Sequence, residues 1–121
     1  MKRLVAAAIL LCLAAVPANA MTVAEFLGKV HALKARGILA LGSPDIQLLR
    51  DEVARIRTAY RADLAAAQKA GRKPHSCPPP ASQAMSQDEF IAELEKIPVS
   101  QRGISMRTAF YAIMKRRYPC R

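Results

Sequence analysis

Between Pro44 and Gly71 nothing in the sequence interrupts a helix. Ser43-Pro44-Asp45 supplies a capping hydroxyl, a proline at the first helical position and an acid in the first turn, the combination that opens a helix. Ile46, Leu49, Val53, Ile56, Tyr60, Leu64 and Ala67 then recur at steps of three and four residues, a near-heptad apolar seam. Arg50, Asp51, Glu52, Arg55, Arg57, Arg61 and Asp63 fall on the other faces. A helix of about 27 residues is roughly 40 Å long. In a chain of 121 residues, a rod of that length must have its seam covered by further helices or by a second copy. The Ala-rich end, with Ala65, Ala66, Ala67 and Ala70, is expected to pack weakly or project into solvent.

The flanking sequence supplies those helices. Thr22-Val23-Ala24-Glu25 is a capping box, and Val23, Phe26, Leu27, Val30 and Leu33 continue at helical spacing. Lys34 and Arg36 suit the negative end of that helix and Gly37 suits its stop, so a helix over about 22–36 is predicted. Ile38 to Leu41, bounded by Gly37 and Gly42, is predicted to form a buried turn. Residues 71–85 are a proline-rich break that includes Pro78-Pro79-Pro80. Ser86 and Glu89 form a second capping box before Phe90, Ile91, Leu94 and Ile97, and Pro98 ends that helix. A last helix is predicted over Ser105–Tyr118, with Met106, Phe110, Ile113 and Met114 on its apolar face. No strand pattern and no internal repeat is present. The fold class is therefore all-α: four helices, one of them long, in a small single domain.

Residues 1–20 read as a secretory signal peptide. Lys2 and Arg3 precede thirteen apolar residues, Leu4 to Val16, and Ala18-Asn19-Ala20 matches a signal-peptidase site. Thirteen apolar residues fall short of the roughly 20 that a membrane span needs. Cleavage would leave residues 21–121 as a single exported domain, expected in a bacterial periplasm. It would also remove Lys2, Arg3 and Cys12, leaving seventeen bases against nine acids, and Cys77 with Cys120. Two cysteines in an oxidising compartment predict one disulfide, closing a C-terminal helical hairpin across 43 residues. The whole chain's charge of +10 would otherwise suggest nucleic acid. Export removes nucleic acid as an expected partner.

The remaining constellations are sparse. A Cys77–His75 pair would need a reduced thiol and an orienting partner to act as a nucleophile. His75 and Cys77 could offer two metal ligands, but no further Cys or His pair has metal spacing. His31 reads as a partly exposed helix residue. Glu93 and Glu95 are two apart on a helix and diverge, and all nine acids are expected at the solvated surface. No cofactor is expected, and neither is enzymatic activity. The basic excess on Arg50, Arg57 and Arg61, and on Lys115, Arg116 and Arg117, marks candidate contacts with a polyanion or an acidic partner.

The stretch Cys77-Pro78-Pro79, a helix to Ile97-Pro98, Arg102, and a second helix ending Tyr118-Pro119-Cys120 resembles the C-terminal half of the Rap/Tai-type immunity proteins. That family protects bacteria against peptidoglycan amidases delivered by type VI secretion. The resemblance covers residues 77–120, and the long charged helix lies outside it. It implies a small helical periplasmic protein, often dimeric, that binds and blocks a toxin. The resulting expectation is an exported non-enzymatic protein that binds another protein, such as a toxin or another envelope protein. The alternative is a basic envelope protein on anionic lipid or another polyanion, touching the membrane peripherally. A homodimer through the long-helix seam is a further candidate, against use of that seam as core within one chain.

Overall fold

The computed structural model describes residues 20–121. The predicted leader, apart from Ala20, lies outside the described residues. Four helices follow in order: α1 (Val23–Arg36), α2 (Pro44–Lys69), α3 (Gln87–Glu95) and α4 (Met106–Arg117). Short 3-10 turns at Gly37–Gly42, Ala81–Gln83 and Val99–Gln101 lie in the connections. Among the described residues there is no strand, only an isolated bridge between Thr22 and Ser105.

The helix starts form as their sequences require. Thr22 accepts from the Glu25 amide while Glu25 returns a bond to the Thr22 amide, and Ser86 and Glu89 repeat the exchange. Ser43 caps α2 through the Asp45 amide, with Pro44 in the first turn. Gly37 and Gly71 end α1 and α2 at positive φ, 57° and 67°, where a side chain would be strained. The N-termini of α1 and α4 also cap each other. The Val23 and Ala24 amides donate to the carbonyls of Ile104 and Arg102 at 3.0 and 2.9 Å, and the Met106 amide donates to Met21 at 2.8 Å. Three amides that a helix start leaves without partners are thereby satisfied between distant segments. Arg102 holds the other end of α3, donating to the carbonyls of Ile97 and Glu95 at 2.9 Å each.

The core lies where all four helices meet. Val23, Phe26, Leu27 and Val30 of α1 join Phe90, Ile91 and Leu94 of α3 and the apolar face of α4. The α2 seam closes against them: Leu49, Ile56 and Tyr60 are buried, and Val53 and Leu64 pack at the margin. The near-heptad spacing therefore serves this chain's own core. Ala65, Ala66 and Ala70 are exposed and only Ala67 of that stretch is buried.

Two expectations fail. Of the predicted buried turn, only Ala40 is covered; Ile38, Leu39 and Leu41 are 75–80% exposed. A six-residue 3-10 turn puts its small residue inward, and three of its large ones have no wall to pack on. Leaving each in water forgoes about 1.5–3 kcal/mol of burial. Nor do all the acids lie at the solvated surface, since Glu52 and Glu93 are buried. Glu52 pairs with Arg55 one turn on. Glu93 sits between Phe90 and Leu94 in sequence on the packed side of α3, and three cations reach it there. Lys96 bonds it at 2.7 Å, Arg116 pairs with it from α4, and Arg117 approaches to 3.6 Å. Burial alone would raise its pKa, but the Lys96 bond, aided by Arg116, holds it below the ordinary carboxylate value.

Stability against acid follows from that carboxylate. A folded-state pKa below the unfolded 4.5 means that its contribution is present above about pH 4.5 and lost as pH falls through the lower folded value. Glu93→Gln is expected to destabilise the fold at neutral pH by about 1–3 kcal/mol, because an ionised acceptor of several bonds is removed. The gap between variant and parent should close in urea titrations run toward pH 3. A gap that stays constant with pH would contradict the ion-pair role.

Candidate functional site: an arginine-lined groove and the knot behind it

Positions 50, 57 and 61 are spaced by seven and four residues, which puts them along one flank of α2. Beside them run two hollows of about 380 Å³ each. The first is walled by Phe26 and Val30 of α1, Val53 of α2, and Phe90 and Ile91 of α3, with Arg50 and Arg57 at its side. The second lies between Tyr60, Leu64, Phe110 and Met114 on one hand and Pro78 and Pro79 on the other, with Arg57 and Arg61. Both are bordered by Arg57 and Met85, so they are neighbouring hollows along α2, and together they make up the candidate groove. Its lining is largely apolar and includes no acid. Among the described residues, Arg50, Arg57 and Arg61 make no ion pair.

The other basic candidates have a different use. Arg116 pairs with Glu93, and Arg117 reaches Glu89 and Glu93 at 3.6 Å each. Glu89 is itself held below its ordinary pKa, first by the Ser86 capping bonds and then by Arg117. These two arginines fasten α4 to α3. Lys115 is exposed and makes no ion pair among the described residues, and none of the three lines the groove. Five of the six basic residues are thus divided between a groove flank and a helix–helix clasp, and Lys115 belongs to neither.

The proline wall of the groove is fastened from behind. Cys77 is bonded to Cys120, as the cysteine count predicts. The Cys77 amide also donates to the Tyr118 carbonyl at 2.8 Å. The adjacent Ser76 is fully buried, and its hydroxyl sits between the Tyr60 phenol and the His75 Nδ1, the latter at 3.1 Å. All three groups are satisfied when Tyr60 donates to Ser76 and Ser76 donates to His75. Burial lifts the Tyr60 pKa above 10, which keeps the phenol a donor. The His75 ring meets Tyr60 and Tyr111 edge-on, at 6.3 and 5.2 Å between centroids. Tyr111 continues the chain to Asp63, which Arg107 approaches at 3.6 Å while lying 5.3 Å over the Tyr111 ring.

Chemically this is a satisfied polar knot. The sulfur of Cys77 is committed to a disulfide, so no thiol stands beside His75 and the sulfur offers no thiolate to a metal. The Ser76 hydroxyl is sealed from solvent. Among the described residues no three His, Cys, Asp or Glu side chains cluster in metal-binding fashion. His31 is exposed, as expected, and meets Glu95 across α1 and α3 at 3.0 Å. Sequence reasoning missed Ser76 and Tyr111. A serine before a cysteine and a tyrosine on an otherwise mixed helix carry no pattern that announces their meeting.

Comparison with known proteins adds no relative: no family model matches the chain, and no curated protein or solved structure matches it.

Two stability measurements test the knot. Reducing the disulfide, or replacing both cysteines with alanine, is expected to cost about 4 kcal/mol from restored loop entropy. For a domain of this size that corresponds to a fall in Tm of roughly 15–30 °C in calorimetry. Ser76→Ala strands the buried Tyr60 phenol and should cost about 1–3 kcal/mol. In a urea double-mutant cycle, adding Tyr60→Phe should then cost less than it does alone, by about 1 kcal/mol. Strict additivity would mean the two hydroxyls are not coupled.

Proposed function

We propose that this chain is an exported, non-enzymatic binding protein whose groove takes an acidic, amphipathic segment of another protein of the envelope. The observation that carries the reading is the groove itself. An apolar floor suits aliphatic or aromatic anchors, and the unpaired Arg50, Arg57 and Arg61 on its flank suit carboxylates beside those anchors. Arginine is well fitted to such contacts, because its planar fork bonds a carboxylate through two hydrogens at once. A non-enzymatic role is supported by the engagement of Cys77, His75 and Ser76 in structural bonds.

The resemblance of residues 77–120 to Rap/Tai-type immunity proteins gives the partner a candidate identity, a cell-wall amidase toxin. Phe90 and Ile91 of α3, Phe110 and Met114 of α4 and the proline wall all border the groove, so the part of the chain that carries the resemblance is also part of the proposed contact surface.

Co-expression tests this. Cells carrying a periplasmic amidase toxin with a neighbouring gene for this chain should survive when the chain is present and lyse when it is absent. The purified pair should bind, and Arg57→Glu should raise Kd at least about tenfold, the worth of one well-made charged contact. Binding should weaken as salt rises. Absence of both rescue and binding overturns the immunity assignment. Unchanged affinity in the Arg50→Glu/Arg57→Glu/Arg61→Glu variant overturns the groove as the contact surface.

A further inference from the structure

The α1–α2 connection presents a convex apolar tip. Ile38, Leu39 and Leu41 are 80%, 78% and 75% exposed, while Ala40 between them is buried. Their exposure is set by the backbone. Gly37 turns the chain at φ 57°, and the Ser43 amide closes on the Ala40 carbonyl at 2.8 Å. In a 3-10 turn, residues three apart lie one above the other, so Ile38 and Leu41 share an edge. With Ala40 turned inward, the three large side chains are held outward together. Leu48, in the second turn of α2, adds a further exposed leucine.

The charges flanking this tip are mainly positive. From Lys29 to Leu48 the sequence has Lys29, Lys34 and Arg36 against a single acid, Asp45. Asp45 is neutralised by Lys29 at 3.0 Å. Lys34 and Arg36, exposed in the last turn of α1, make no ion pair among the described residues. Glu95 on α3 lies within the field of Lys34 but is bonded to His31.

We infer that this tip inserts into the surface of an anionic lipid bilayer, a contact separate from the groove. Three aliphatic side chains offer on the order of 200–350 Å² of apolar area, well short of the about 800 Å² per partner of a standard protein interface. That area matches shallow burial at the boundary between headgroups and acyl chains, where aliphatic insertion and basic residues act together. No helix among the described residues is long and apolar enough to cross a membrane, so the contact is peripheral. Lys34 and Arg36, in the last turn of α1, come just before the apolar residues and would meet lipid phosphates. Each basic residue near such a surface contributes about fivefold in partitioning.

The chain contains no Trp, so Leu39→Trp makes a unique reporter at the tip. Its emission should shift to the blue with vesicles of phosphatidylcholine containing one-third phosphatidylglycerol, and the shift should reverse as salt rises. Adding Lys34→Glu and Arg36→Glu should lower partitioning by about 25-fold or more. Leu41→Trp serves as a second reporter, with circular dichroism checking that the helices persist. No shift with either reporter on anionic vesicles overturns the inference. A shift that grows with protein concentration in the absence of lipid also overturns it, and identifies a second copy as the occupant. Neither result bears on the groove, whose test does not involve the tip.

Discussion

The Cys77–Cys120 bond ties the proline-rich connector to the end of the chain, and the placement of that connector depends on the tether. From the end of α2 to the start of α3 the backbone forms almost no regular structure. Such a segment has few hydrogen bonds with which to hold itself in place. The disulfide, the Cys77–Tyr118 backbone bond and the buried Ser76 hydroxyl fasten it at adjacent residues. Ser76 reaches Tyr60 in the middle of α2, so the connector is anchored to the long helix as well as to the chain end. Pro78 and Pro79, immediately beyond, then become one wall of the groove. The same fastening that stabilises a domain with a small core also shapes its proposed contact surface.

The basic residues divide according to what faces them. On α4, Arg116 and Arg117 meet the acids of α3, and their charge is spent within the fold. On α2, Arg50, Arg57 and Arg61 border apolar side chains and meet no carboxylate among the described residues. An arginine beside an apolar hollow keeps its hydration until a partner brings an acceptor, so it retains binding energy that a clasped arginine has already used. Net charge alone does not distinguish these two uses.

The apolar surface divides in a similar way. The α2 stripe is closed by α1, α3 and α4, whereas the three large residues of the Gly37–Gly42 turn have nothing opposite them. The tip and the groove are different kinds of surface. One is small and flanked by the unpaired Lys34 and Arg36; the other is concave and bordered by Arg50, Arg57 and Arg61.

Regular local patterns carried most of the fold. The capping boxes at Thr22 and Ser86, the Ser43-Pro44 start, the stops at Gly37 and Gly71, and the α2 stripe all act within a few residues, so spacing was enough to place four helices. The disulfide followed from there being two cysteines in the predicted exported chain. Three-dimensional packing settled everything that depends on what lies opposite a side chain. Ile38, Leu39 and Leu41 are as hydrophobic as core residues but lack a facing wall. Glu93 is as polar as the exposed Glu95 but lies under Lys96, just past the end of α3, and Arg116 and Arg117 of α4. The meeting of Tyr60 with Ser76 joins residues sixteen apart, and that of Asp63 with Tyr111 joins residues forty-eight apart. The groove needs α1, α2, α3, α4 and the connector together. Helix periodicity acts along the chain and can be read from it, whereas burial and pairing act across space and arise only when distant segments are brought together.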